Sequence, residues 1–246
     1  MARIDGRAND QLRKLEIIPG FLSHPAGSVL ISAGGTRVIC AGSLEEKVPS
    51  WMKAQKVAGG WVTSEYGMLP ASTHDRMKRE SSAGKQSGRT VEIQRLIGRS
   101  LRAAVDLDKL EGFTLHLDCD VIDADGGTRC ASISGAAVAA ALALSKPENA
   151  ARFGSGVFRE LVAAVSVGIV NGEAVLDLNY QEDSNAEVDM NVIMTESMQL
   201  IEVQGTAEGA PFSRRQLNEL IDLAEHGLKS IFARQREILS NFGVMQ

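Results

Sequence analysis

The stretch DADGGTRCASISGAAVAA, residues 123–140, runs two glycines, a threonine and an arginine into a series of small helix-forming residues. The first N–H groups of a helix lack partners within it and carry the positive end of its dipole, so they attract phosphate. Glycines at such a point leave no Cβ to hold the anion away. Gly127, Thr128 and Arg129 therefore read as parts of an anion site. The pattern fits neither G-x-G-x-x-G nor G-x-x-x-x-G-K-[ST]. The plainer alternative is that Gly126-Gly127 merely joins a strand to a helix and that Arg129 is an exposed side chain.

A second stretch, LDLNYQEDSNAEVDMN, holds Asp183 and Asp189. In one continuous strand these carboxylates would stand roughly 20 Å apart, too far to share an ion. A chain reversal centred near Ala186 would set them opposite each other, and Asp183-Ser184-Asn185 is good turn material. Beyond the turn, Ala186, Val188, Met190 and Val192 mark an apolar face, while Glu187, Asp189 and Asn191 mark a polar one. Two carboxylates on a polar face suit Mg2+, which keeps several waters and takes substrate phosphate oxygens. A solvated acidic turn is the other reading of the same residues.

Charge is concentrated in one place. From Arg76 to Arg102 eight Lys and Arg face two Glu, a local +6 that leaves −11 for the rest of a chain whose net charge is −5. One basic face on an acidic protein suits an anionic polymer bound at one place. Within that segment Arg89, Arg95, Arg99 and Arg102 can equally be a solvated or subunit-facing stripe. The histidines (24, 74, 116 and 226) are scattered and form no ligand set, and Ser132, Ser134 and Cys130 have no visible base partner for nucleophilic catalysis. Cys40, Cys119 and Cys130 have no paired or metal-like spacing and read as reduced, intracellular thiols. The most apolar runs, GAAVAAALAL and LVAAVSVGIV, are too short to cross a bilayer, and the polar start MARIDGRAND has no apolar leader.

These groups must be positioned by a framework that periodicity outlines. SVLISAGGTRVICAGSLEE (28–46) reads as a hairpin around Gly34-Gly35. Residues 87–106 read as an amphipathic helix, with Val91, Ile97, Leu101, Ala104 and Val105 on one side and Glu92, Arg95, Arg99 and Arg102 on another. TLHLDCDVI (114–122) alternates as a strand, and 131–145 form a small-residue helix able to pack closely on a sheet. KPENAARFGSGVF (146–158) reads as a loop or weak boundary. A hairpin turning at Asn171-Gly172 follows, then two more strands, EVDMNVIMT and QLIEVQG. The terminal helix, 212–239, has Ser213 as its N-cap. Helices alternating with mixed sheets give an α/β or α+β fold in two similar halves.

RIDGRANDQLR (3–13), GSVLISAGGTRVIC (27–40), GGWVTSEYGMLP (59–70), GKQSGRTVEIQRLIGRSLRAAVDL (84–107) and LDCDVIDADGGTRCASISGA (117–136) fall in one order. With AAVSVGIVNGEAVLDLNYQEDSNAEVDMNVIMT (163–195) and IEVQGTAEGAPFS (201–213), they resemble the bacterial ribonuclease PH family from end to end. The resemblance implies an α+β fold similar to the second domain of ribosomal protein S5, duplicated within one domain spanning 1–246. Its halves would be about 1–145 and 159–240. It implies a cytoplasmic, phosphorolytic 3′→5′ exoribonuclease of the nucleotidyltransferase class, which trims precursor tRNA ends and releases nucleoside diphosphates. Mg2+ would be the cofactor, inorganic phosphate the co-substrate, and a homo-hexamer, a trimer of dimers, the assembly; no membrane is involved.

Carried over residue by residue, the resemblance gives phosphate binding to Arg89, Gly127, Thr128 and Arg129. It gives the metal to Asp183 and Asp189, catalysis to these two with Arg89, and RNA guidance to Arg76 and Arg79. Three rivals stand beside it. A non-catalytic RNA-binding ring subunit of an exosome-like assembly would typically lack part of the arginine or aspartate set. A polynucleotide phosphorylase would need KH and S1 modules that 246 residues are not expected to hold. A hydrolytic nuclease would release monophosphates without added phosphate.

Overall fold

A computed structural model describes residues 3–244. Met1 and Ala2 of the polar start, and Met245 and Gln246 of the tail, lie outside the described residues.

The Gly34-Gly35 turn joins β2 (Gly27–Ala33) to β3 (Thr36–Glu45), as the sequence expects. With β1 (Leu15–Pro19), β4 (Trp61–Met68) and β5 (Thr114–Asp123) they form a five-stranded sheet in the order β1-β2-β3-β5-β4. Only β4 and β5 run parallel. Short helices α1 (Ser50–Gln55) and α2 (Glu80–Ala83) precede the long α3 (Gly88–Ala104), and α4 (Thr128–Leu144) follows β5. Segment 146–158 is not simply a loop. Pro147 at its first turn and Glu148 beside it start α5 (Pro147–Phe153), which buries Phe153 and ends at Gly154.

Beyond it, β6 (Val162–Val170) turns at Asn171-Gly172 into β7 (Glu173–Leu176). After α6 (Tyr180–Asp183), β8 (Val188–Thr195) and β9 (Leu200–Ala207) complete a fully antiparallel sheet, β7-β6-β8-β9. The terminal α7 (Arg214–Asn241) starts where expected, with Ser213 and Gln216 forming a capping box. The fold is α+β: one mixed sheet and one antiparallel sheet, with α3, α4 and α7 each touching both.

The helix between the sheets explains the alanine-rich sequence. All but two of the residues of α4 are buried, and it packs on β2, β3 and β5 from one side and β6 from the other. Contact is backbone-close: a Cβ on Gly27 of β2 would lie 2.2 Å from the carbonyl oxygen of Ala139. Larger side chains would force the sheets apart. On α3 the buried face is Ile93, Leu96, Ile97, Leu101 and Ala104. Val91, expected with them, is exposed, because it lies two residues from Ile93, about 200° round the helix from the buried stripe. Among the described residues no single helix is long and apolar enough to cross a membrane.

Candidate active site

The Gly126-Gly127 bend joins β5 to α4, and both glycines adopt positive φ, +74° and +66°. Two outside groups hold the bend. The Thr36 hydroxyl donates to the Gly126 carbonyl (2.6 Å) and accepts from the Asp125 N–H (2.8 Å). Arg13 donates to the carbonyls of Asp125 and Gly126. With these carbonyls tied back, the first amides of α4 face the other way. Gly127 is the N-cap, and no side chain caps the helix. Uncapped N–H groups at the end of a 17-residue helix await an outside acceptor.

Gly126 also lets the two halves meet. A Cβ there would lie 2.7 Å from Leu178 O and Asn179 C and 2.9 Å from Tyr180 N. Gly126→Ala combines this overlap with a left-handed backbone, and we expect it to destabilise the protein by about 2–4 kcal/mol in urea titrations. A cost below about 1 kcal/mol would show that the loops part easily.

Arg89, in the first turn of α3, reaches this end of α4. Its Nη2 lies 3.5 Å from Thr128 Oγ1, its Nη1 3.6 Å from Met68 Sδ, and it forms no ion pair among the described residues. Arg129 is restrained instead. It donates to Gln204 Oε1 of β9 and, at 3.4 Å, to Glu92 Oε1 of α3, and Gln204 in turn donates to Glu92 (3.2 Å).

Asp183 and Asp189 come together, though not through a hairpin. Asp183 closes the single-turn α6, residues 184–187 reverse the chain, and Asp189 points from β8. Asn179 caps α6 in a box with Glu182, a helix turn not expected from the sequence. The apolar face Ala186, Val188, Met190 and Val192 is buried, as expected. The two carboxyl groups lie close enough for each to affect the other's protonation. Burial, and then the charge of Asp183, push Asp189 up to about 6. Burial raises Asp183 too, against the nearby guanidinium groups of Arg129, Arg89 and Arg13. Asp189 Oδ1 is buried and accepts no hydrogen bond among the described residues. A buried lone pair without a donor, beside a second carboxylate, is the environment a divalent cation fits.

Residues that motif spacing did not single out hold this arrangement. Arg13 grips Asp177 through Nη2 (2.6 Å), Nε (3.1 Å) and its own N–H (2.8 Å). Arg3 makes a buried two-pronged bond to Glu182 (2.7 and 2.6 Å) and donates to the carbonyls of Leu176 and Asp177. Burial alone would raise the Glu182 carboxyl, but Arg3 holds it below the ordinary range. The segment RIDGRANDQLR is thus a strap across the β7–α6 loop, and the only hint in the sequence is three arginines, Arg3, Arg7 and Arg13, before the first strand. Arg76 and Arg79 stand exposed on the loop leading to α2 and make no contact with the cluster among the described residues.

Residues 11–147 match the model of the 3′ exoribonuclease family, domain 1, and residues 160–227 match domain 2 of the same family. Among solved structures, the crystal structure of rice (Oryza sativa) Rrp46 is similar over 97% of this chain and 98% of that one, at 19% identity and a TM-score of 0.74. An archaeal exosome core aligns over 97% of this chain and 91% of its own, at 23% identity and a TM-score of 0.73. The Archaeoglobus fulgidus exosome with RNA bound to the active site aligns over 98% and 92%, at 24% identity and a TM-score of 0.75. At such identities the likeness is one of fold. The family models cover both halves in order, so this chain belongs to the 3′ exoribonuclease family.

Proposed function

We propose that this protein is a ribonuclease PH-type phosphorolytic 3′→5′ exoribonuclease of the cytoplasm, which trims the 3′ ends of precursor tRNA with orthophosphate and releases nucleoside diphosphates. The observation that carries this reading is the unpaired Arg89 guanidinium at the uncapped start of α4. That end of α4 would take an anion, and Asp183 is near enough to feel the charge of Arg89.

In this reading Arg89, Arg129, Thr128 and the Gly127–Arg129 backbone hold orthophosphate and neutralise it. A dianion otherwise meets electrostatic opposition from a phosphodiester; held and screened, its attack becomes effectively intramolecular. The P–O bond to the 3′ oxygen breaks as a P–O–P anhydride bond forms, one P–O bond for another, and the 3′ oxygen leaves as a hydroxyl, so nucleotide addition is the reverse reaction. Asp183 and Asp189 would hold Mg2+, which when bound supplies positive charge for the scissile phosphate and the leaving oxygen. Arg76 and Arg79, exposed and without carboxylate partners among the described residues, would guide the RNA backbone, with salt weakening the grip. A homo-hexamer built as a trimer of dimers would multiply these contacts, and sedimentation equilibrium measures it.

The test is product separation after incubating a 3′-extended tRNA with Mg2+, with and without orthophosphate. Diphosphates only when phosphate is present support the proposal. Monophosphates without phosphate mean hydrolysis. No product in either case favours the second reading, a non-catalytic RNA-binding ring subunit, which the likeness to exosome structures brings forward.

A further inference from the structure

Tyr66 sits on the inward-facing side of β4, 3% exposed within the main core. Packing alone would be served by phenylalanine, and a buried phenol is costly unless its hydroxyl is bonded. The Tyr66 hydroxyl has one hydrogen bond: it donates to Thr128 Oγ1 at 2.9 Å. Arg89 Nη2 approaches the same oxygen from the α3 side.

A threonine hydroxyl has two acceptor positions and a single hydrogen. Tyr66 and Arg89 together occupy both acceptor positions of Thr128. Inside a helix the hydrogen would turn back to the carbonyl four residues earlier. Thr128 is the first residue of α4, so no helical carbonyl precedes it, and the hydroxyl donates to no protein group among the described residues. What remains is the space at the end of α4.

We propose that Tyr66 is a positioning residue: by donating to Thr128 Oγ1 it obliges the threonine hydroxyl to act as a donor toward an oxyanion at the α4 N-terminus. This rests on the reading of that end as a phosphate site and adds the group that sets its hydrogen-bond polarity. The arrangement favours a ligand with a free lone pair there, orthophosphate oxygen above all.

The test measures orthophosphate binding itself, by calorimetry on the full chain, so that turnover is not needed. Tyr66→Phe should weaken orthophosphate binding by about five- to tenfold, the loss of one oriented hydrogen bond, and leave RNA binding and melting temperature unchanged. Thr128→Val should weaken it comparably, and in that background Tyr66→Phe should add less than about twofold, since the two act through one hydroxyl. Thr128→Ser should retain the affinity. If the native protein binds orthophosphate and Tyr66→Phe binds it equally, or its effect persists in full beside Thr128→Val, this proposal is overturned alone. A native protein that binds no orthophosphate overturns the phosphate-site reading with it.

Discussion

Replacing Arg89 by alanine should raise the orthophosphate concentration needed for half-maximal RNA shortening by about 10- to 150-fold, while RNA binding stays within about twofold. The magnitude follows from what is removed: a charge-assisted contact to an anion, worth about 1.5–3 kcal/mol, where each 1.4 kcal/mol is a factor of ten. Arg89 is suited to this role because, among the described residues, it forms no ion pair that would neutralise it. RNA binding is spared in this account because Arg76 and Arg79 lie on a different element, the loop before α2. Arg89→Lys should recover only part of the loss, since an ammonium group replaces the charge but not the planar fork. Initial rates across a phosphate series, with filter binding of labelled tRNA alongside, check both halves. An unchanged phosphate dependence in Arg89→Ala would remove Arg89 from the site.

The other large effect is expected at Asp189, with opposite consequences for activity and stability. Asp189→Asn should lower turnover by about a thousandfold, the scale of losing one preorganised electrostatic group. The same variant should be more stable than the native protein when no divalent cation is present at pH 7.5. Burial and Asp183 hold the native Asp189 carboxyl at about 6, above its ordinary 3.8. Between these values the folded protein binds the proton and the unfolded chain does not, so native stability falls as the pH rises through that window. The amide carries no charge and escapes this penalty, which is on the order of 1–3 kcal/mol. The advantage of Asp189→Asn should therefore be full above pH 6 and vanish near pH 4. Mg2+ should raise the denaturation midpoint of the native protein and leave that of the variant unmoved. Near-normal turnover in Mg2+, or a variant less stable than native at pH 7.5, would count against the metal role.

Much of the framework was legible because local rules and tertiary packing agree. Gly34-Gly35 and Asn171-Gly172 specify their turns by backbone chemistry, and Ser213 with Gln216 specifies the start of α7. The glycine bend at the start of α4 could be read as well, because two glycines between an alternating strand and small helix-forming residues mark such a junction. What escaped was set by partners distant in sequence. The helix turn α6 before the reversal escaped, because the Asn179–Glu182 capping box sets it locally and Arg3 secures it from the far end of the chain. Val91 looked like a core residue by type, but the stripe that meets β4 is centred on Ile93 and Ile97. Gln204 and Glu92, which clamp Arg129, carry no motif at all; only the placement of Glu92 one turn after Arg89 gave a hint.

The strap from residues 3–13 has a bearing on synthesis. Arg3 closes on Glu182, 179 positions later, and Arg13 on Asp177, 164 positions later. Whatever emerges first from the ribosome must wait for most of the polypeptide before the β7–α6 loop can be locked. A partly translated copy would thus have a glycine bend and a free arginine but no assembled pair of carboxylates. Under the proposed function, RNA shortening would have to wait until Asp189, of 246 residues, has been made.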